Sequence, residues 1–400
     1  MVARTITMEQ RRTALVHRHS LAGDAGSPRA VVHALVALHA TDPATVYLSV
    51  LARSRATTIA DIHEAMYGQR ALLRWMAMRR TLFVFAREDV VMIQSAVSTP
   101  LAAVLRRRLL SLVERNGIDP RVTGDLPGWL RATEARVEQA LQQRGAATGA
   151  ELRTAEPALR ATIAARTRSE QPQGLTSPLL TLMSAEGRIV RGTPVGAWTT
   201  RHHRWEHVSA WWPDGLPHLD PAQAQASLAR RWLQRFGPAT VDDLAWWTGW
   251  TKAVTRSALS RLDIEEVDLH GRPGIDLRDA APTIPTEPVA CLLPCLDPTP
   301  MGWKHRDWFT AVDPGHIYDR AGNIGPTVWW DGELIGSWAS TSSGIRVHLL
   351  ADRGRQAAAA VERAAADLHA RLGGVTVVPA IRTACERHLS QRSGTTDDRR

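Results

Sequence analysis

Of 49 basic side chains only two are lysine, Lys252 and Lys304. Positive charge is therefore carried by arginine, whose planar fork suits bidentate phosphate contacts, although genomic base composition gives the same bias. Three cysteines, Cys291, Cys295 and Cys385, are too few for a disulfide framework. The reading of Cys291 and Cys295 is core or turn packing rather than metal binding. Phenylalanine and tyrosine are scarce, at four and three, beside fifteen tryptophans. Tryptophan thus has to serve as the large core residue. No apolar run in the sequence reads as long enough to span a bilayer, and "MVARTITMEQRR" has no apolar signal core, so the expected location is cytoplasmic, without a membrane partner. Neither GxxxxGK[ST] nor a strand-borne GxGxxG occurs, so no cofactor, and in particular no nucleotide cofactor, is expected.

What is there is a soluble composition, 44% hydrophobic and 22% charged, over 400 residues. That length suggests two to four compact units. The net charge of +9 is unevenly placed. Residues 1–200 hold 26 Lys/Arg against 16 Asp/Glu, and residues 201–400 hold 23 against 24. The first half therefore suits an anionic partner, with nucleic acid the natural candidate. "RHHRWEH" (201–207) has no third ligand at convincing spacing for a metal, and reads as a basic-aromatic surface facing nucleic acid. "RRR" at 106–108 reads as a solvated helix face, with phosphate contact the sharper alternative.

Apolar spacing of three and four predicts helices at 7–19, 29–39, 43–53, 58–67, 69–77, 87–116, 126–143, 148–165, 221–236 and 353–372. "TLFVFA" (81–86) predicts a strand. "QRGAATGAEL" (143–152) echoes "RFGPATVDDL" (235–244), and "DPATVYLSVL" (42–51) shares the Pro-Ala-Thr. Each reads as a helix start, which suggests a repeated helix-turn-helix. The third copy is clearest: a helix to Gly249, a second capped by Thr251, then a hairpin turning at His270-Gly271. That order is a winged helix, and Lys252, Thr255, Arg256 and Arg261 would lie on its second helix. "SPLLTLMSAEGRIVRGTP" (177–194) reads as a helix entering a hairpin through Gly187. Short apolar runs from 285 to 350, with an Asp-Gly hairpin in "WWDGELIG", suggest a small sheet or barrel. "SQRSGTTDDRR" reads as a disordered tail.

The expected fold is α+β, mostly helical, with tandem winged-helix motifs followed by a small β-barrel. Its divisions are 1–120, 121–220 and 221–284 for three winged-helix units, 285–350 for the barrel, and 351–400 for a C-terminal helix and tail. On "VVHALVALHATDPATVYLSVLAR" (31–53), "RWMAMRRTLFVF" (74–85), "FGPATVDDLAWWTGW" (236–250), "LLPCLDPTPMGWKHRDW" (292–308) and "GPTVWWDGELIGSW" (325–338), the chain resembles the winged-helix DNA glycosylases. That family includes the azinomycin-resistance glycosylase and bacterial enzymes that unhook interstrand crosslinks. The resemblance implies three tandem winged helices with a small barrel, and double-stranded DNA, alkylated or crosslinked, as partner. It implies monofunctional hydrolysis of the N-glycosidic bond of alkylated bases.

The family's best-known members carry Gln-any-Gln or Gln-any-Asp where this chain has His39-Ala40-Thr41. Where the family often has Gly-Thr-any-His, this chain reads Arg80-Thr81-Leu82-Phe83. By position, the resemblance makes His39 and Thr41 the water-positioning pair. By chemistry, His39 could accept a proton from water, Asp42 could orient the imidazole or steady charge on the sugar, and Thr41 could fix the water. Asp42 before Pro43 also reads as an ordinary N-cap, His39 as a polar helix end, and Thr41 as a turn residue. Arg53, Arg79, Arg80, Lys252 and Arg256 are the expected DNA contacts. A non-catalytic DNA-binding regulator or clamp is the alternative.

Overall fold

The computed structural model describes residues 4–122, 124–167, 170–281 and 287–391. Helix takes 47% and strand 19%, so the protein is mixed α and β rather than mostly helical. Five expected helices appear nearly as read, as Met8–Arg18, Pro43–Leu51, Leu126–Arg144, Pro221–Phe236 and Gly354–Leu372. The helix expected at 29–39 stops at Leu35. Two others fail. Residues expected as a helix over 69–77 hold the strand Leu72–Met76, all five of its side chains buried. Both faces are buried, Arg74 included, so no apolar–polar alternation marks the run as a strand. Residues 148–165 break into the helix Gly149–Ala155, the 3-10 turn Pro157–Arg160 and the strand Thr162–Ile163. Pro157 has no N–H with which to continue a helix. Most of the expected tail, 392–400, lies outside the described residues.

The chain folds as two compact units, Met66–Leu228 and Met1–Ala65 with Ala229–Arg400. In the unit Met66–Leu228, antiparallel strands Leu82–Ala86, Leu72–Met76, Ile189–Pro194, His203–His207 and Ala146–Thr148 lie side by side in that order. The helix Thr176–Ala185 enters Ile189–Pro194 through Gly187 at φ 75°, as expected from 177–194. Helical structure runs from Arg87 to Asn116, with a π turn at Gln94–Ser98 just ahead of Pro100, whose ring and missing N–H disfavour regular α-helical bonding. By length and composition this stretch could cross a bilayer, contrary to the expectation from the sequence, but 56% of its apolar window is buried. Arg106 is not a solvated cation: it bonds Glu134 at 3.0 Å and Glu186 at 2.5 Å. Arg188 closes the same network on Glu134 at 2.6 Å and Glu138 at 2.7 Å.

In the other unit, the third echo folds as expected. The helix Val241–Thr248 ends at left-handed Gly249, Thr251 caps Lys252–Leu259, and strands Ile264–Asp268 and Pro273–Leu277 form an antiparallel hairpin. Thr240 and Thr148 are both N-caps with reciprocal capping boxes. The first echo is different: Thr45 lies inside the helix Pro43–Leu51, its hydroxyl donating to the Cys295 carbonyl at 2.9 Å. The expected barrel is instead an open sheet. Ala290–Leu293, Thr327–Trp330, Glu333–Thr341 and Gly344–Leu349 pair in sequence order, and the first and last do not meet. Asp331 and Gly332, with φ 47° and 76°, make the expected tight turn. Tryptophan does serve as core, since nine of the fifteen are buried. Burial pushes the Cys291 and Cys295 thiols up to about 12, so both are neutral packing groups.

One buried ion pair ties this unit together. Arg53 and Asp297 meet through two bonds of 2.7 and 2.9 Å, both side chains fully buried. Arg53 also donates to the His19 and Ser49 carbonyls and to Thr299 Oγ1, at 3.0, 3.0 and 2.7 Å. Asp297 accepts from Ser49 Oγ and from the Thr299 N–H. His19 Nε2 donates to the Arg235 carbonyl, and its Nδ1 accepts a hydrogen bond from the Thr299 hydroxyl. Burial, then Arg53, pushes the His19 pKa well down, so that ring stays neutral. Removing one partner of such a pair leaves the other buried and uncompensated. Asp297→Ala should therefore cost about 3–5 kcal/mol, read as a lower urea midpoint at unchanged slope.

Candidate functional site

The stretch expected to carry chemistry, His39 to Asp42, lies between two helices. Pro28–Leu35 is capped by Ser27 Oγ accepting from the Ala30 N–H at 3.1 Å. It ends abruptly. Val36 has φ 62° and ψ −40°, and the Leu35 carbonyl accepts from the Ala37 N–H at 2.6 Å. This is a γ-turn of the positive-φ form, rare for any L-residue and worse for a β-branched one. Such a conformation costs about 1–3 kcal/mol and persists only where surrounding packing enforces it. Val36 itself is 4% exposed. The turn delivers the two-residue strand Leu38–His39, after which Pro43–Leu51 begins at N-cap Asp42.

His39 is buried and Thr41 exposed, so the pair spans the boundary between core and solvent. The Thr41 N–H donates to His39 Nδ1 at 3.5 Å, a long bond. With Nδ1 accepting, a neutral ring carries its proton on Nε2. Asp42 departs from the capping reading of its sequence position. It occupies the N-cap, yet its side chain makes no capping bond. Its Oδ2 instead accepts from the Ala380 N–H at 2.8 Å, with Cys295 Sγ at 3.6 Å. The Asp42 carboxylate is thus bonded through Oδ2 to the chain near residue 380.

Arg53 is corrected outright. Expected to contact phosphate, it has no exposed side-chain surface, and each of its guanidinium nitrogens is bonded within the Asp297 cluster. In sequence it reads like any arginine at the end of a helix. Its partner Asp297 lies 244 positions away and carried no signal of its own.

The other expected cations are exposed. Arg79 and Arg80 form the tip of the hairpin between Leu72–Met76 and Leu82–Ala86, in the unit Met66–Leu228. Both are left-handed, at φ 52° and 62°. Thr81 steadies the tip, its hydroxyl donating to the Met78 carbonyl at 2.7 Å. In the other unit, Lys252 and Arg256 lie on exposed positions of the helix Lys252–Leu259. Lys252 Nζ is 3.6 Å from Asp242, an exposed pair that contributes little and that a phosphate can displace. His203 and His207 stand on the strand His203–His207, and no group of three potential metal ligands occurs among the described residues.

Asp42→Ala should leave the Ala380 N–H without its acceptor. We expect a loss of about 1–3 kcal/mol in stability, measured by urea unfolding.

The family model described as DNA glycosylase AlkZ-like matches residues 32–371. No curated protein matches the chain. Among solved structures, the Streptomyces sahachiroi DNA glycosylase AlkZ superposes with a TM-score of 0.66 at 21% identity, covering 94% of this chain and 99% of that one. At that identity the likeness speaks to the fold alone, while the family match spans both compact units. The chain belongs to the AlkZ-like DNA glycosylase family.

Proposed function

We propose that this chain is a monofunctional DNA glycosylase acting on alkylated bases in double-stranded DNA, bulky or crosslinked adducts included, with His39 and Thr41 holding the attacking water. The observation that carries this reading is the strained γ-turn at Val36, which leads directly into His39. Backbone strain of that kind accumulates where a side chain must be held in position. In the hydrolysis, the bond from the sugar C1′ to the base nitrogen breaks and its electron pair goes to the base. The water oxygen bonds C1′, and the water proton passes to solvent. A base alkylated on a ring nitrogen is cationic and leaves neutral, so no strong general acid is needed. The His39 imidazole and the Thr41 hydroxyl would hold the water by hydrogen bonds. That is positioning rather than proton abstraction.

DNA contact is assigned to Arg79 and Arg80 at the hairpin tip and to Lys252 and Arg256 on the second helix of the third echo. The order helix, turn, helix, hairpin over 241–277 supports a winged helix there. The tandem arrangement extends the same assignment to 1–120 and 121–220, with 221–284 as the third unit. The open sheet of 290–349 and the helices Gly354–Leu372 and Ala384–Gln391 follow these units.

Base release from a duplex with a single 7-methylguanine tests the reading. His39→Ala should lower the single-turnover rate by roughly 100-fold with duplex affinity unchanged. Release that survives the substitution, or no release by the wild type on either this or a crosslinked duplex, would sink it. Arg79→Ala with Arg80→Ala should weaken binding to every sequence alike and flatten its salt dependence by about 2 in log–log slope.

A further inference from the structure

In the unit Met66–Leu228, several arginines are neutralised by glutamates: Arg70 by Glu206, Arg106 and Arg188 by the Glu134 network, Arg136 by Glu156, Arg204 by Glu151. One place is different. Arg74 and Arg191 sit directly opposite each other on neighbouring strands, 4% and 7% exposed. Like charges facing across a ladder repel, and burial removes the water that would screen them. Neither has a carboxylate within ion-pair distance among the described residues. Arg74 Nη2 donates only to the Gly192 carbonyl, and its Nε has no partner. Arg191 Nη1 donates only to Ser184 Oγ at 2.9 Å, and its guanidinium lies 4.4 Å over the Trp205 ring. Burial, then Arg74, pushes the Arg191 pKa down to about 9, which still leaves it charged at neutral pH.

Arg191 and Trp205 line an open groove of about 1110 Å³. Arg153, Arg160, Arg201 and His203 line it too, and no aspartate or glutamate does among the described residues. His203 packs edge-on against Trp205 at 4.8 Å. Its Nδ1 donates to the Arg201 carbonyl at 3.0 Å, which leaves Nε2 as an acceptor, buried and without a donor. The walls therefore ask for two things at once: an anion to answer the arginines and an O–H or N–H to answer His203 Nε2.

We infer that this groove binds a single phosphorylated nucleotide unit, its phosphate facing Arg191 with Arg153 and Arg201 at the rim, and a sugar or base donor bonding His203 Nε2. The unit is either an unpaired nucleotide of a DNA strand or a free mononucleotide. Neither source depends on the glycosylase reading, and base release plays no part in the test.

The experiment uses the full chain, with thermal midpoints measured at fixed ionic strength in deoxyguanosine 5′-monophosphate or in deoxyguanosine. The monophosphate should raise the midpoint by about 3 °C and the nucleoside should not. Arg191→Met should raise the ligand-free midpoint, because an apolar side chain replaces an unneutralised buried charge, and should abolish the response. The exposed rim pair Arg153→Gln with Arg201→Gln leaves the core intact and should halve the response or more. A second arm measures affinity for an undamaged duplex with a single-stranded 3′ extension. A loss of roughly tenfold in the rim variant assigns the nucleotide to a DNA strand. Unchanged duplex affinity with a lost monophosphate response assigns it to a free nucleotide. If the monophosphate gives no shift and the rim variant binds the extended duplex like wild type, the inference is overturned.

Discussion

The Arg53–Asp297 pair is the constraint on which the unit around His39 depends. It joins the end of the helix Pro43–Leu51 to the loop at 294–299, and it does so with every guanidinium nitrogen bonded. Neutral His19 and Thr299 complete the cluster. Around it, Phe236 and Trp303 pack against the His19 ring, and Trp303 stacks edge-on with Trp308. A helix fixed this firmly at its C-terminal end can hold a strained connection at its N-terminal end. Val36 is that connection, and Asp42 anchors its far side to Ala380.

Charge is handled in two ways. Where arginine meets glutamate, as in Arg106, Arg188 and Glu134, the charges cancel inside the unit and stiffen the helices Thr99–Asn116 and Leu126–Arg144 against each other. Where arginine is exposed or unneutralised, as at Arg79, Arg80, Arg191 and Arg201, the field is directed outward or into a groove. The surplus of ten positive charges in the first half of the sequence is thus not one smooth patch. Part of it is taken up by internal pairing, while Arg79 and Arg80 stand at an exposed hairpin tip and Arg191 and Arg201 line a groove.

Much of the local structure was legible. Thr240 and Thr148 announced their helices because a capping box acts within four residues. Asp331-Gly332 announced its hairpin because a tight turn needs positive φ at two adjacent positions. The strand Leu72–Met76 reads as helix because both of its faces are buried, Arg74 included, and no solvent-facing side reveals a period of two. The sheet at 290–349 was misread as closed because strand count and turns say nothing about whether the first and last strands meet. The candidate site was half legible. His39 and Thr41 could be picked out by position, but the strain at Val36 could not, since valine carries no mark of left-handed geometry.

By itself the sequence determined what acts over short range: caps, turns, the helix-turn-helix-hairpin of 241–277, and the family to which the residues from 31 to 338 point. Tertiary structure alone decided which charges are available. Arg53 and Arg256 look alike in sequence, yet one is sealed against Asp297 and the other faces solvent. Arg74 and Arg191 are 117 positions apart and become neighbours only through strand pairing. The physical reason is that a charge's role depends on its dielectric surroundings and its nearest counter-charge, and long-range contacts set both.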